Sequence, residues 1–171
     1  MKTWFITGAS RGFGRIWAEA ALLRGDKVAA TARKSADVAD LTERFGEAVL
    51  PLALDVTNAE QVRQTVAQAH QHFGRLDVVL NNAGYTLIGT VEEASEADVR
   101  ALFDTNYFWM LRVVQAAPAL AAATGRREYP RRLKRNGNCG GALVGFYCAS
   151  SGRSKCSTKV SRKRSRALAS R

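Results

Sequence analysis

The sequence predicts a doubly wound α/β fold built on a parallel sheet, and three observations carry that prediction. Through the first 124 residues, short apolar runs of strand length alternate with longer segments whose apolar residues recur at helical spacing. A glycine-rich turn, Thr7-Gly8-Ala9-Ser10-Arg11-Gly12-Phe13-Gly14, joins the first run to the first helical segment. A second turn, Asn81-Asn82-Ala83-Gly84, follows the fourth apolar run.

The elements follow in a regular order. Residues 3–7 (Thr-Trp-Phe-Ile-Thr) form an aromatic and β-branched strand, and residues 12–24 form a helix that Gly25 ends. Residues 27–31 make the next strand, followed by a helix over about 36–45. A third strand spans 49–54, and a third helix runs from Asn58 to Phe73 with Gly74 as its C-terminal stop. Residues 76–80 are the fourth strand, and a long helix beginning near Ser95 covers 96–122, with Ala101, Leu102, Asn106, Phe108 and Trp109 along it. Strand–helix–strand units of this kind are right-handed and parallel, and such sheets bind ligands where their strands end.

Composition narrows the function class. The 171 residues suit one globular domain with a real core, and 46% of them are apolar. The net charge of +11 invites a nucleic-acid or membrane reading. Its distribution argues otherwise: residues 1–124 hold 12 Lys/Arg against 14 Asp/Glu, whereas residues 125–171 hold 14 Lys/Arg against Glu128 alone. Two regions are therefore expected, a ligand-binding domain over 1–124 and a basic segment over 125–171. Cys139, Cys148 and Cys156 form no CxxC pair, and His70 and His72 lie far upstream in a polar helix, so no metal centre is expected. Met1-Lys2 runs directly into the first strand and no apolar run has the length to span a bilayer, so the expected setting is cytoplasmic, without a membrane partner.

The turns carry the chemistry. At Gly8, Gly12 and Gly14 the absence of a Cβ lets the chain turn tightly and approach a pyrophosphate, whose charge then meets the positive end of the helix dipole; Ser10, Arg11 and Phe13 line the same turn. The second strand ends in Thr31-Ala32-Arg33-Lys34, where a fold preferring the unphosphorylated dinucleotide would place an acid. Arg33, with Lys34 and Arg11, attracts a 2′-phosphate instead, so NADP is favoured, with NAD still open. At the third strand end, Asp55 and Val56 offer an adenine one polar and one apolar contact; Asp55 equally suits the cap of the next helix. At the fourth, Asn82, Ala83 and Gly84 let the backbone pass beneath a cofactor while a side-chain amide ties neighbouring strands.

With these motifs in order, the chain resembles a classical short-chain dehydrogenase/reductase over residues 1 to about 115. Thr7, Gly8, Gly12 and Gly14 match the family's TGxxxGxG element, Asp55 its adenine-contacting acid, residues 81–84 its NNAG element, and Asn106 the Asn of its catalytic tetrad. The resemblance implies an NAD(P)-dependent oxidoreductase that moves hydride between the nicotinamide and a small-molecule carbonyl or secondary alcohol. It also implies a Tyr that protonates the carbonyl oxygen, a Lys that lowers the Tyr pKa, a Ser that stabilises the oxyanion and an Asn that supports a water relay. Tyr147, 41 residues after Asn106, opens the expected YxxxK pair with Tyr147-Cys148-Ala149-Ser150, but Ser151 stands where the Lys belongs. The matching Ser position is Lys134, inside Arg131-Arg132-Leu133-Lys134-Arg135, and such a cationic run does not suit a buried strand.

The charge jump and the loss of motif begin together, which predicts a changed reading frame rather than a basic domain. With suitable synonymous codons, Ser151 to Ala167 read one base back spell WAVEVFxEGLAKEVA, which resembles the helix after the family's YxxxK lysine; one adenine before codon 151 would place a Lys and a Trp directly after Ser150. As written, the fold is expected to be incomplete at its C-terminal side and the chain catalytically poor. The family is usually homo-oligomeric, but the helices that make those contacts are not recognisable here, so no assembly follows. A rival reading treats the chain as a nucleotide-binding lobe whose tail, Ser161-Arg162-Lys163-Arg164-Ser165-Arg166, holds nucleic acid or acidic surfaces without specificity. Thr86, Leu87 and Ile88, past the fourth strand, are either a bare loop or an approach to substrate.

Overall fold

The computed structural model describes residues 1–121, which fall into two compact units: residues 1–84 with those from Arg112 onward, and residues 85–111. The basic segment, with Lys134, Tyr147 and Ser151, lies outside the described residues.

The first unit is built on four parallel strands: β1 (Thr3–Ile6), β2 (Lys27–Ala32), β3 (Val49–Ala53) and β4 (Val78–Leu80), in the order β3-β2-β1-β4. Trp4 lies opposite Val28 on one side and Val78 on the other, so β1 is the central strand from which the chain first winds one way and then, after β3, crosses back. That reversal between β1 and β4 is the crevice where open α/β sheets take their ligands.

Both faces of the sheet are covered, as parallel strands require. Trp4, Ile6, Val28, Ala30, Ala32 and Val49 pack with Ala18, Ala21 and Leu22 of α1 (Gly12–Leu23) and with Val38 and Leu41. The alternate residues Phe5, Ala29 and Leu52 are buried on the other face, where α3 (Ala59–Phe73) contributes Val62, Val66 and Ala69 and the Thr65 hydroxyl donates to the Ala53 carbonyl. Full burial of Phe5 alone is worth about 1.5–3 kcal/mol. Three alanines in β2 keep the sheet thin at its centre, so helices on both sides approach closely.

Three elements depart from the sequence expectation. The helix expected over 36–45 is a 3₁₀ turn, Ser35–Val38, followed by a short α2 (Asp40–Phe45). The tighter three-residue turn puts Val38 and Leu41 on one side, and both are fully buried. The fourth strand begins at Val78 rather than residue 76, because the Asp77 carboxylate takes the Thr3 amide at 2.8 Å, a donor a continuing ladder would have used. Asp55 is not the cap of α3: Asn58 is, accepting from the amides of Glu60 and Gln61 at 3.1 and 3.0 Å. Gly74, at φ 75°, ends α3 as the sequence indicates.

The second unit holds a loop from Tyr85 to Ser95 and the start of the expected long helix. Ser95 caps α4 (Glu96–Phe103) through its hydroxyl, which accepts from the Asp98 amide at 3.1 Å. The single helix expected over 96–122 is interrupted: Asp104–Phe108 is a π-turn, closed by the Trp109 amide on the Asp104 carbonyl, before α5 (Trp109–Ala121). Such one-residue expansions need a side chain that repays the lost regularity, and frequently mark functional positions.

Candidate functional site

The glycine turn leaves β1 tied on both sides. The Thr7 amide donates to the Leu80 carbonyl at 3.1 Å and the Ala9 amide to the Thr31 carbonyl at 2.8 Å, so the turn is fastened to the ends of β4 and β2. Thr7 is fully buried; its hydroxyl donates to the Leu80 carbonyl and accepts from the amides of Asn82 and Ala83 at 2.9 and 3.2 Å. The Asn82 carboxamide returns the link, donating to the carbonyls of Thr7 and Gly8 at 3.2 and 3.0 Å.

This staple leaves no room for side chains at two positions. A Cβ on Gly14 would collide with the Gly8 carbonyl and the Asn82 amide; one on Gly8, at φ 67°, would lie 3.1 Å from the Ala83 Cα. Gly12 is different: a Cβ there would meet nothing within 4 Å, and it is the φ of 60° that favours glycine. Arg11 occupies the N-cap position of α1 in extended conformation and makes no side-chain cap bond, and no acid stands in the first helical turn. The result is a close backbone approach beside a helix N-terminus, the geometry that receives a pyrophosphate. The cradle fits the dinucleotide that the motifs imply, since both the crowded glycines and the exposed Gly12 leave backbone rather than side chain at its surface.

Charge around the turn is uneven. Arg15, Arg24, Arg44, Arg63, Arg75 and Arg100 each pair with a carboxylate. The side chains of Arg11, Arg33 and Lys34 are exposed and make no hydrogen bond or ion pair among the described residues. Both bonds from Thr57, hydroxyl at 2.7 Å and amide at 2.9 Å, fall on Oδ1 of Asp55, and with the charge of Arg33 they hold this carboxyl below the usual range against the effect of burial. Val56, beside it, is 9% exposed. Ser10 is half-buried in the turn, and Phe13, 54% exposed, stacks on Trp17 with ring centroids 5.5 Å apart.

In the second unit the structure pairs Asn106 with Tyr85. The Tyr85 amide donates to Asn106 Oδ1 at 3.1 Å, and Asn106 Nδ2 donates to the Tyr85 carbonyl at 2.8 Å. The buried carboxamide thus replaces a strand partner for one peptide, and the π-turn is what lets it reach out of the helix. Partial burial and the charge of Asp98 push the Tyr85 phenol above its ordinary pKa.

Sequence reasoning missed the part played by Thr7 and Tyr85. A hydroxyl at the end of a buried strand was the available signal for Thr7; for Tyr85 only its place after Gly84 was visible. Among the described residues no group of His, Cys, Asp and Glu is arranged to hold a metal, and no helix is long and apolar enough to cross a membrane.

Known proteins are similar to this chain in sequence and fold. The curated Oxidoreductase BOA17 of Botryotinia fuckeliana is 49% identical over 116 residues, 67% of this chain and 42% of that protein. The 3-ketodihydrosphingosine reductase of Bacteroides thetaiotaomicron is 37% identical over 145 residues, 85% of this chain and 51% of that protein. The chain thus spans about half the length of the curated relatives it matches. Among solved structures, a short-chain dehydrogenase from Streptomyces avermitilis superposes with a TM-score of 0.87 at 33% identity, covering 93% of this chain and 60% of that one. The alcohol dehydrogenase of the archaeon Thermococcus sibiricus, complexed with 5-hydroxy-NADP, gives 0.86 at 26% identity, covering 96% and 71%. Because the family model for short chain dehydrogenases also matches residues 2–126, spanning the glycine turn, Asp55, residues 81–84 and Asn106, the chain belongs to the short-chain dehydrogenase family.

Proposed function

We propose that the chain is of an NADP-preferring oxidoreductase type acting between a carbonyl compound and the corresponding secondary alcohol, with turnover impaired as written because Lys134 and Ser151 stand at the family's Ser and Lys positions. The observation that carries this reading is the interlock of Gly8, Gly14 and Asn82, which leaves bare backbone beside the N-terminus of α1. The nicotinamide, when bound, supplies or accepts the hydride.

This chain's residues do the rest. Gly8, Ser10, Arg11, Gly12, Phe13 and Gly14 hold the pyrophosphate end, and Arg33 with Lys34 and Arg11 receives a 2′-phosphate. The free Oδ2 of Asp55 and the side chain of Val56 take the adenine edge, and Asn82, Ala83 and Gly84 support the cofactor from β4. Tyr147 is the proton donor to the carbonyl oxygen. Asn106 acts as a positioning residue, because both polar atoms of its carboxamide engage the Tyr85 peptide. The preference for NADP draws further support from the NADP analogue held by the Thermococcus sibiricus relative.

Calorimetric titration of the chain with NADP⁺ and NAD⁺ tests the reading. NADP⁺ should bind at least about tenfold tighter than NAD⁺, as one charge-assisted contact is worth about 1.5–3 kcal/mol. Failure to bind either dinucleotide overturns it.

A further inference from the structure

The turn after β3 exposes Asp55 and Thr57, yet its backbone is tied on every side. The Leu54 amide donates to the Ala32 carbonyl at 2.7 Å, which joins the start of the turn to the end of β2. The Asp55 amide donates to Gln61 Oε1 at 2.8 Å, which joins it to α3, and the Asn58 amide closes it on the Asp55 carbonyl at 3.1 Å. One tie comes from far along the chain: Arg112 Nη1 donates to the Thr57 carbonyl at 2.8 Å, across 55 residues. Arg112 belongs to the same compact unit as the sheet and is half-buried, beside the fully buried Val113 of α5. Fixing an arginine on a neutral carbonyl costs side-chain freedom, so the contact must hold something in place.

What it holds is the residue that orients Asp55. Thr57 directs its hydroxyl and its amide onto Oδ1 of Asp55, at 2.7 and 2.9 Å, and Oδ2 has no partner among the described residues. The direction of that second oxygen therefore depends on where Thr57 sits. We propose that Arg112 is a positioning residue for base recognition: by holding the Thr57 carbonyl it keeps Asp55 Oδ2 aimed to accept from the exocyclic amino group of adenine. A purine with an oxygen in place of that amino group would set acceptor against acceptor and lose the bond. The inference rests on the dinucleotide reading above and adds to it a residue of α5 and a selection among purines.

The test is calorimetric titration of the full chain with NADP⁺ and with its hypoxanthine analogue, nicotinamide hypoxanthine dinucleotide phosphate, read as the ratio of the two affinities. The native chain should favour NADP⁺ at least about tenfold. Arg112→Ala should bring the ratio below about threefold, and so should Thr57→Ala, a change at an exposed residue that leaves the core intact. Arg112→Lys should keep most of the preference, because the contact uses a single donor on a single carbonyl. If Arg112 served stability alone, its loss would weaken both dinucleotides in proportion; a ratio unchanged in Arg112→Ala, or a native ratio near one, overturns the positioning role. Failure of the native chain to bind either dinucleotide overturns the dinucleotide reading itself, and is seen in the first titration before any variant is compared.

Discussion

Asn106 and Tyr85 bind each other twice, side-chain amide to peptide carbonyl at 2.8 Å and peptide amide to side-chain oxygen at 3.1 Å. The pair exists because a π-turn lets one side chain leave the helix between α4 and α5. Removing it by Asn106→Ala strands both polar groups of the Tyr85 peptide. We expect a loss of about 1–3 kcal/mol in urea unfolding and fast hydrogen exchange at the Tyr85 amide. Asn106→Asp keeps the acceptor and should retain part of that protection; equal exchange in native and Asn106→Ala chains would disprove the structural role.

Gly14 and Gly12 are required for different reasons, and a pair of substitutions separates them. Gly14→Ala drives a methyl group into the Gly8 carbonyl and the Asn82 amide, so α1 must move and dinucleotide binding should disappear. Gly12→Ala meets no neighbour and costs only the left-handed backbone, about 1–2 kcal/mol of stability. Calorimetry with NADP⁺ on both variants checks the order; equal effects would mean that the close packing at Gly14 does not shape the site.

Arg33 decides the phosphate preference if the cations of the second strand end act as proposed. Arg33→Ser should lower NADP⁺ affinity about tenfold or more and leave NAD⁺ affinity within about twofold. The remaining difference should shrink further as salt is raised, since Lys34 and Arg11 are exposed. A parallel loss of both cofactors would assign Arg33 to the fold instead.

The parallel sheet was legible because strand and helix periods differ, and because glycines and small residues follow β1 and β4. What the sequence hid depends on distance in space. The length of β4 is set by a carboxylate, Asp77, reaching the Thr3 amide 74 residues away. The π-turn is set by a partner, Tyr85, 21 residues upstream of Asn106. Asp55 and Asn58 both suit a helix cap by type; only the backbone of Asn58, extended at φ −87° and ψ 107°, aims its oxygen at the first-turn amides. Thr7 reads as one more β-branched strand residue until Asn82 closes on it.

Two aspartates make the first unit sensitive to acid. Asp26 accepts from the Lys2 amide at 2.8 Å and the Trp4 indole at 3.0 Å, and Asp77 accepts from the Thr3 amide and Arg75. Burial alone would raise both carboxyls; the hydrogen bonds, with Arg24 and Arg75, overcome it and hold both below the ordinary value. A carboxyl lowered by folding stabilises fully above its unfolded pKa, near 4, and the contribution is lost as pH falls through the lower folded value. Stability by urea unfolding should therefore fall steadily below about pH 4. Asp26→Asn with Asp77→Asn should cost about 1.5–3 kcal/mol per site at pH 7 and remove most of that slope. A native chain whose stability is level from pH 5 to pH 2 would contradict this account.

The basic segment makes a prediction about the coding DNA. Residues 125–171 carry 14 of the 26 Lys and Arg, and Ser151 stands where the YxxxK pattern opened by Tyr147 needs its lysine. Sequencing the DNA from codon 110 past codon 171 should find codons that permit the shifted reading, an AGT at Ser151 followed by GG, with a compensating shift between about codons 115 and 145. Restoring one adenine before codon 151 then writes Lys and Trp after Ser150. The chain as written should oxidise or reduce carbonyl compounds negligibly, because Ser151 and Lys134 stand where the family's pattern has its Lys and Ser. A chain with both frames restored should turn over NADPH measurably. Codons that forbid the shifted spelling, or turnover by the unrepaired chain equal to that of the repaired one, would show the basic segment to be a native part of the protein.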